Sequence, residues 1–226
     1  MKLPTAPTPA CTGYQGTSIM LYGQSKIGKS TLASQFPKPL FIATEPGLRA
    51  LTVHQIPVSS WEEFLAACAL LGGEHDFKTI IIDTIDVLYR LCADWVCARK
   101  GIKHESELDF GKAYGPIKAE LYRVLTKLAH LDPTLILISH SQDKELEVGR
   151  IKRHRIVPTL PESLRQIVIG LVDMILFADI QADGTRIMHT KSAPDFDAGD
   201  RFNILPPVIP LTFAALEAAF RNKETK

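Results

Sequence analysis

The chain has 226 residues, of which 46% are hydrophobic and 23% charged, with a formal net charge of +1. That length and composition suit one large α/β domain with a well-buried core better than two small domains. The near-zero charge excludes a whole-molecule field toward nucleic acid or membrane, so any such attraction has to come from a local patch.

Residues 1–16 are rich in Pro, Thr and Gly and lack an apolar h-region, so they do not read as a secretory signal. They are expected to form a flexible arm, with residues 17–226 as the folded domain. From there, short apolar runs alternate with amphipathic stretches, which predicts a parallel sheet covered by helices. Residues 18–22 read as a strand, 29–35 as a helix and 40–44, entered after Pro39, as a second strand. Ser60 followed by Glu63 predicts a capping box at the head of a helix running through Leu71. Ile80, Ile81 and Ile82 run without alternation, the pattern of a strand over 79–83 buried on both faces. A helix over 85–99, a polar insert over 101–112, a helix over 117–130 and a strand over 134–139 follow. Residues 142–161 are polar and basic and read as a hairpin. A helix over 163–170, strands over 174–178 and 186–190 and a helix over 212–221 complete the chain. The most apolar late stretch, 167–180, is interrupted by Asp173 and Asp179, so no membrane span is expected. Cys11, Cys68, Cys92 and Cys97 form no C-x-x-C pair, which favours reduced thiols of an intracellular protein over a metal site.

Gly23-Gln24-Ser25-Lys26-Ile27-Gly28-Lys29-Ser30 fits G-x-x-x-x-G-K-[ST] in full. At ordinary residue usage a chain of this length matches by accident on the order of one time in a hundred, and here a strand precedes the match and a helix follows it. The two glycines let the backbone fold so that N–H groups face phosphate oxygens. Lys29 would reach the β- and γ-phosphates of ATP and Ser30 would ligate Mg²⁺, with Thr31 completing the nucleotide-binding set.

A P-loop also needs an acid at the end of another buried strand to hold the metal, and Asp83 supplies one. The next residue is Thr84, where many P-loop ATPases carry the glutamate that orients the attacking water. Another carboxylate has to do that work. Glu45 follows the second strand and falls at the carboxyl rim of the sheet, where ligands of open α/β sheets sit. Asp86 is the second choice, expected to face outward from a first helical turn. His140, at the end of the 134–139 strand, is a candidate γ-phosphate sensor.

With these residues in place, the chain resembles RecA-core P-loop ATPases. More narrowly, it is similar to phage-encoded AAA-type nucleotide-binding proteins of the Sak-type single-strand annealing recombinase group. Residues 22–33, 44–51, 78–86, 135–141 and 191–206 carry the resemblance. It implies a three-layer sandwich with a mostly parallel central sheet, the RecA-like P-loop NTPase core. It also implies DNA-stimulated ATP hydrolysis, action on single-stranded DNA in recombination, and a homo-oligomer in filament or ring form. A single-strand-binding protein is a candidate partner, no membrane is expected, and a phage-encoded protein would act in the cytoplasm of a bacterial host. Lys191 and Arg201 stand where relatives present cations to a neighbour's nucleotide; as isolated residues they read equally as solvated charges. The short chain suits annealing or partner-assisted recombination better than strand exchange.

RecA-type proteins place a DNA-binding loop after the sensor strand. Here Lys144, Arg150, Lys152, Arg153, His154 and Arg155 crowd that segment, and Arg150, Lys152, Arg153 and Arg155 are the candidate DNA contacts. Four contacts to phosphates of a single strand would give a log–log salt slope of roughly −3. Phe110 and Tyr114 are either base-stacking surfaces or core. A small-molecule kinase and a nucleotide-gated interaction module with little hydrolysis are the alternatives to the recombination ATPase.

Overall fold

The structure is a computed structural model that describes residues 3, 5–7, 9–102, 104, 114–148 and 151–221, with backbone only at 146–148 and 151–153. Six strands run parallel in the order β7 (Met174–Ile180), β1 (Ser18–Gly23), β5 (Thr134–Val148), β4 (Thr79–Asp83), β2 (Pro39–Ala43) and β3 (His54–Pro57). On the β7 side, β8 (Arg186–His189) and β10 (Val208–Pro210) extend the sheet antiparallel, and the short β9 (Gly199–Asp200) pairs with the start of β7. One strand, β5, is thus inserted between the strand that precedes the phosphate loop and the strand that ends in Asp83.

Alternate residues of each strand serve opposite faces. Met20, Tyr22, Ile42, Ile80, Ile82 and Leu137 belong to one cluster, covered by α2 (Trp61–Leu71), α3 (Ile85–Lys100), α4 (Tyr114–Ala129) and α5 (Glu162–Leu171). Ile19, Leu21, Phe41, Ile81, Ile136 and Ile138 belong to the other, covered by α1 (Lys29–Ala33) and α6 (Phe213–Arg221). Burial on both faces is why the β4 isoleucines run without alternation. The result is a three-layer α/β sandwich with a mostly parallel central sheet.

The departures from the sequence reading have local causes. β3 escapes the apolar pattern because His54, Gln55 and Pro57 are exposed on an edge strand. α1 stops at Ala33, short of residue 35, with Pro37 close behind disfavouring helix at the residue before it. Ser60 caps α2, accepting from Glu63 N at 3.1 Å, but the Glu63 carboxylate turns to Ser59, taking its N–H at 2.6 Å and its hydroxyl at 2.8 Å. The segment after residue 139 is a hairpin, yet its first arm is β5 itself, continuing out of the sheet to Val148 and pairing with β6 (Ile151–Pro158). Tyr14, placed by sequence in the arm, is buried, with edge-on ring contacts to Phe36 and Phe213. None of the four cysteines is joined in a disulfide, and among the described residues no helix is long and apolar enough to cross a membrane.

Candidate active site

The parallel strands deliver their last residues to one rim. Gly23 lies in register with His140 on one side and Ala178 on the other, and Asp83 with Ala43 and Ile138. The phosphate loop leaves this rim from Gly23, where a Cβ would stand 2.5 Å from the Ala178 carbonyl oxygen; only glycine fits. Ile27, fully buried, pins the middle of the loop to the core beneath it. Gly28 caps α1 at φ +111°, a conformation strained for residues with a Cβ. Among the described residues, none accepts a hydrogen bond from the backbone N–H groups of 24–31. Those donors suit an anion.

Lys29 is buried, and its ammonium donates to the Gly23 and Gln24 carbonyl oxygens at 2.8 and 2.9 Å. Burial pulls its pKa below the ordinary lysine value, against the attraction of Asp83, Asp86 and Glu45. Ser30 Oγ donates to Asp83 Oδ2 at 2.6 Å. Burial pushes the Asp83 carboxyl above the ordinary range, opposed by the Ser30 bond and reinforced by Glu45. Each charge is therefore short of compensation from its surroundings.

Glu45 reaches the same spot through a backbone clasp. Thr44 N donates to Asp83 O at 2.9 Å, Thr84 N to Thr44 Oγ1 at 2.7 Å and Thr44 Oγ1 to Thr84 O at 2.9 Å. The residue after Asp83 then holds the displaced carboxylate, as Thr84 Oγ1 donates to Glu45 Oε1 at 2.8 Å. His140 spans the gap, with Nδ1 3.1 Å from Ser25 Oγ and Nε2 3.7 Å from Glu45 Oε1. Lys29, Ser30, Thr31, Glu45, Asp83 and His140 line one cavity of about 470 Å³.

Among the described residues, no group of three or more His, Cys, Asp or Glu side chains could hold a metal ion alone. One hydroxyl and one carboxylate in contact, beside unpaired N–H donors, suit Mg²⁺, which keeps waters and shares phosphate oxygens.

Other candidates lie elsewhere. Arg201 bonds Asp173 at 3.2 Å and the Gly170 carbonyl, and Lys191 bonds Asp200 at 2.7 Å and Asn203 at 2.9 Å. Asp173 also accepts from Ser18 N, at the opposite end of the strands, about 16 Å from Gly23 at the strand rise. Within one chain neither cation meets the phosphate loop. Arg155 donates to Asp197 at 2.5 Å rather than standing free. Arg150 and Phe110 lie outside the described residues, as do the side chains of Lys152 and Arg153; Lys152 sits opposite Glu147 in the hairpin register. Tyr114, the first residue of α4, is exposed.

Sequence reasoning misplaced Asp86. Instead of facing outward it is turned inward, accepting from Ser139 Oγ at 2.6 Å and His140 N at 2.7 Å, and burial raises its pKa. Arg186 was also missed: its Nη1 lies 3.4 Å from where a Gly28 Cβ would stand, brought there by antiparallel pairing that no local motif marks.

The chain is similar to the SPbeta prophage-derived uncharacterized protein YorG of Bacillus subtilis (strain 168), 24% identical over 233 residues, covering 95% of this chain and 70% of that protein. Its structure is similar to a KaiC-like protein from Pyrococcus horikoshii OT3, with a TM-score of 0.49, 15% identity and coverage of 87% and 85% of the two chains. It is likewise similar to the RadB recombinase, with a TM-score of 0.49, 18% identity and coverage of 77% and 80%. The AAA domain family matches residues 15–202, a span that contains the phosphate loop, Glu45, Asp83 and His140, and the chain therefore belongs to the AAA domain family.

Proposed function

We propose that the chain hydrolyses ATP and acts on single-stranded DNA in phage-type homologous recombination or annealing, in the manner of the Sak-type group. The observation that carries the reading is the gathering of Lys29, Ser30, Glu45, Asp83 and His140 at one rim, on strands whose middle member, β5, runs on into a basic hairpin. A relative named as prophage-derived supports the phage setting.

In this reading the N–H groups of 24–31 and the Lys29 ammonium hold the triphosphate, and Lys29 exchanges its two carbonyl partners for phosphate oxygens. Ser30 and Asp83 would hold Mg²⁺, which would supply charge neutralisation to the triphosphate. Lys29 and Asp83, whose charged forms burial disfavours, would each gain a compensating partner there. Glu45, released from Thr84, orients a water and takes its proton. His140 lies between Ser25 and Glu45, where it meets the terminal phosphate and passes its presence along β5. Arg150, Lys152, Arg153 and Arg155 contact DNA, with Arg155 leaving Asp197 to do so. Lys191 and Arg201 act on a neighbour's nucleotide in a filament or ring, and a single-strand-binding protein is the candidate partner.

The test is ATPase activity with and without single-stranded DNA, alongside a sizing measurement in ATP. DNA should raise the rate, and neutralising Arg150, Lys152, Arg153 and Arg155 together should remove the increase. Stimulation that survives the quadruple change places the DNA path elsewhere.

One observation favours a second reading, a small-molecule kinase. Glu45 also lines a neighbouring cavity of about 540 Å³ with Arg49, Gln55 and Ser59, room enough for a phosphoryl acceptor. Labelled γ-phosphate appearing on a molecule other than water would select it.

A further inference from the structure

We propose that Asp86 is a positioning residue whose carboxylate fixes the strand end bearing His140 and thereby ties the phosphate site to the β5–β6 hairpin. The inference rests on the nucleotide reading above.

β5 changes partners at residue 140. Up to His140 it pairs with β1, and from Ser141 onward it pairs with β6. A strand at such a changeover needs its polar groups held from outside the ladder. Asp86 does this, taking the Ser139 hydroxyl on one oxygen and the His140 N–H on the other. The His140 carbonyl accepts from Thr159 N at 2.9 Å, at the exit of the hairpin. Its ring reaches Ser25 of the phosphate loop and approaches Glu45. One residue thus touches four segments, and the bond to Asp86 is the one that anchors it to the helical layer.

An acid in the first turn of a helix is favourable in any case, through the helix dipole. That reading needs no contact with β5, whereas both Asp86 oxygens are committed to it. Asp86 is not among the residues lining the phosphate cavity and acts on Lys29 only through its charge, so its loss should change nucleotide affinity little and sever the coupling.

Hydrogen exchange followed by mass spectrometry separates the two effects, using the full chain with Mg²⁺ and a non-hydrolysable ATP analogue. In the wild type the analogue should slow exchange at 23–31 and also in the hairpin arms, residues 141–148 and 151–158. In Asp86→Ala the slowing at 23–31 should persist while the hairpin response disappears. Nucleotide affinity should stay within about threefold while kcat falls about tenfold or more, the scale of a lost hydrogen bond to a charged group. Should Asp86→Ala not fold, Asp86→Asn keeps the shape and one acceptor, and it should weaken the hairpin response with that at 23–31 intact. A hairpin response undiminished in these variants overturns the proposal. So does a wild type protected at 23–31 alone, which leaves nucleotide binding standing. No protection at 23–31 removes the nucleotide reading, and this inference with it.

Discussion

Glu45→Gln separates chemistry from binding. The substitution keeps a carbonyl oxygen where Thr84 donates at 2.8 Å, and His140 Nε2, at 3.7 Å, is too far to lose a hydrogen bond. Shape and clasp survive and only the charge goes. The side chain is 36% exposed, so stability should change by about 0.5 kcal/mol or less, a Tm shift of roughly 2 °C or less. A positioned base contributes about 10²–10⁴-fold, or roughly 3–5 kcal/mol of barrier. Single-turnover phosphate release at saturating Mg-ATP should therefore slow by at least about a hundredfold. Affinity for ATP should hold or tighten, because a negative charge beside the triphosphate is removed. Turnover within about threefold of wild type, well under the range for a base, would show that another group orients the water.

Lys29→Ala should abolish measurable hydrolysis and weaken ATP binding by about 10- to 150-fold, the scale of one hydrogen bond between charged groups; near-normal turnover contradicts its placement. Its melting temperature should not fall much, since the buried ammonium is held below its ordinary pKa and folding at neutral pH works against that charge. Tyr14→Ala should cost about 3–5 kcal/mol by emptying the space among Phe36, Phe213 and Phe220, read as a lower midpoint in urea; an unchanged midpoint would return Tyr14 to the arm. At pH 8 a thiol reagent should modify Cys11 quickly and leave Cys68 and Cys92 until the protein unfolds, because burial pushes the Cys68 thiol up to about 12 and Cys92 up as well. Rapid reaction of Cys68 in the native protein would contradict its packing.

The sequence exposed what depends on chemistry repeated along the chain. The phosphate loop was legible because tight backbone and a lysine–serine pair must be adjacent, and β4 because a run of isoleucines fits only a strand covered on both faces. The convergence of Glu45, Asp83 and His140 was inferable from strand ends, since parallel strands deliver their last residues to one rim. What stayed hidden depends on pairing across the chain. The inward seat of Asp86 needs Ser139, 53 residues away, and a first-turn acid reads the same whether it meets solvent or a strand end. β3 carries no apolar alternation to betray it, being an edge strand. The separation of Lys191 and Arg201 from the loop follows from β9 pairing with the start of β7, a register no local motif specifies.

The most direct test of the account is calorimetric titration of the folded protein with Mg-ATP, repeated with Lys29→Ala and with Mg²⁺ chelated. The account predicts one nucleotide bound per chain, with binding weakened by the substitution and by removal of the metal. Absence of any heat of binding at saturating Mg-ATP, from protein shown to be folded, would contradict it.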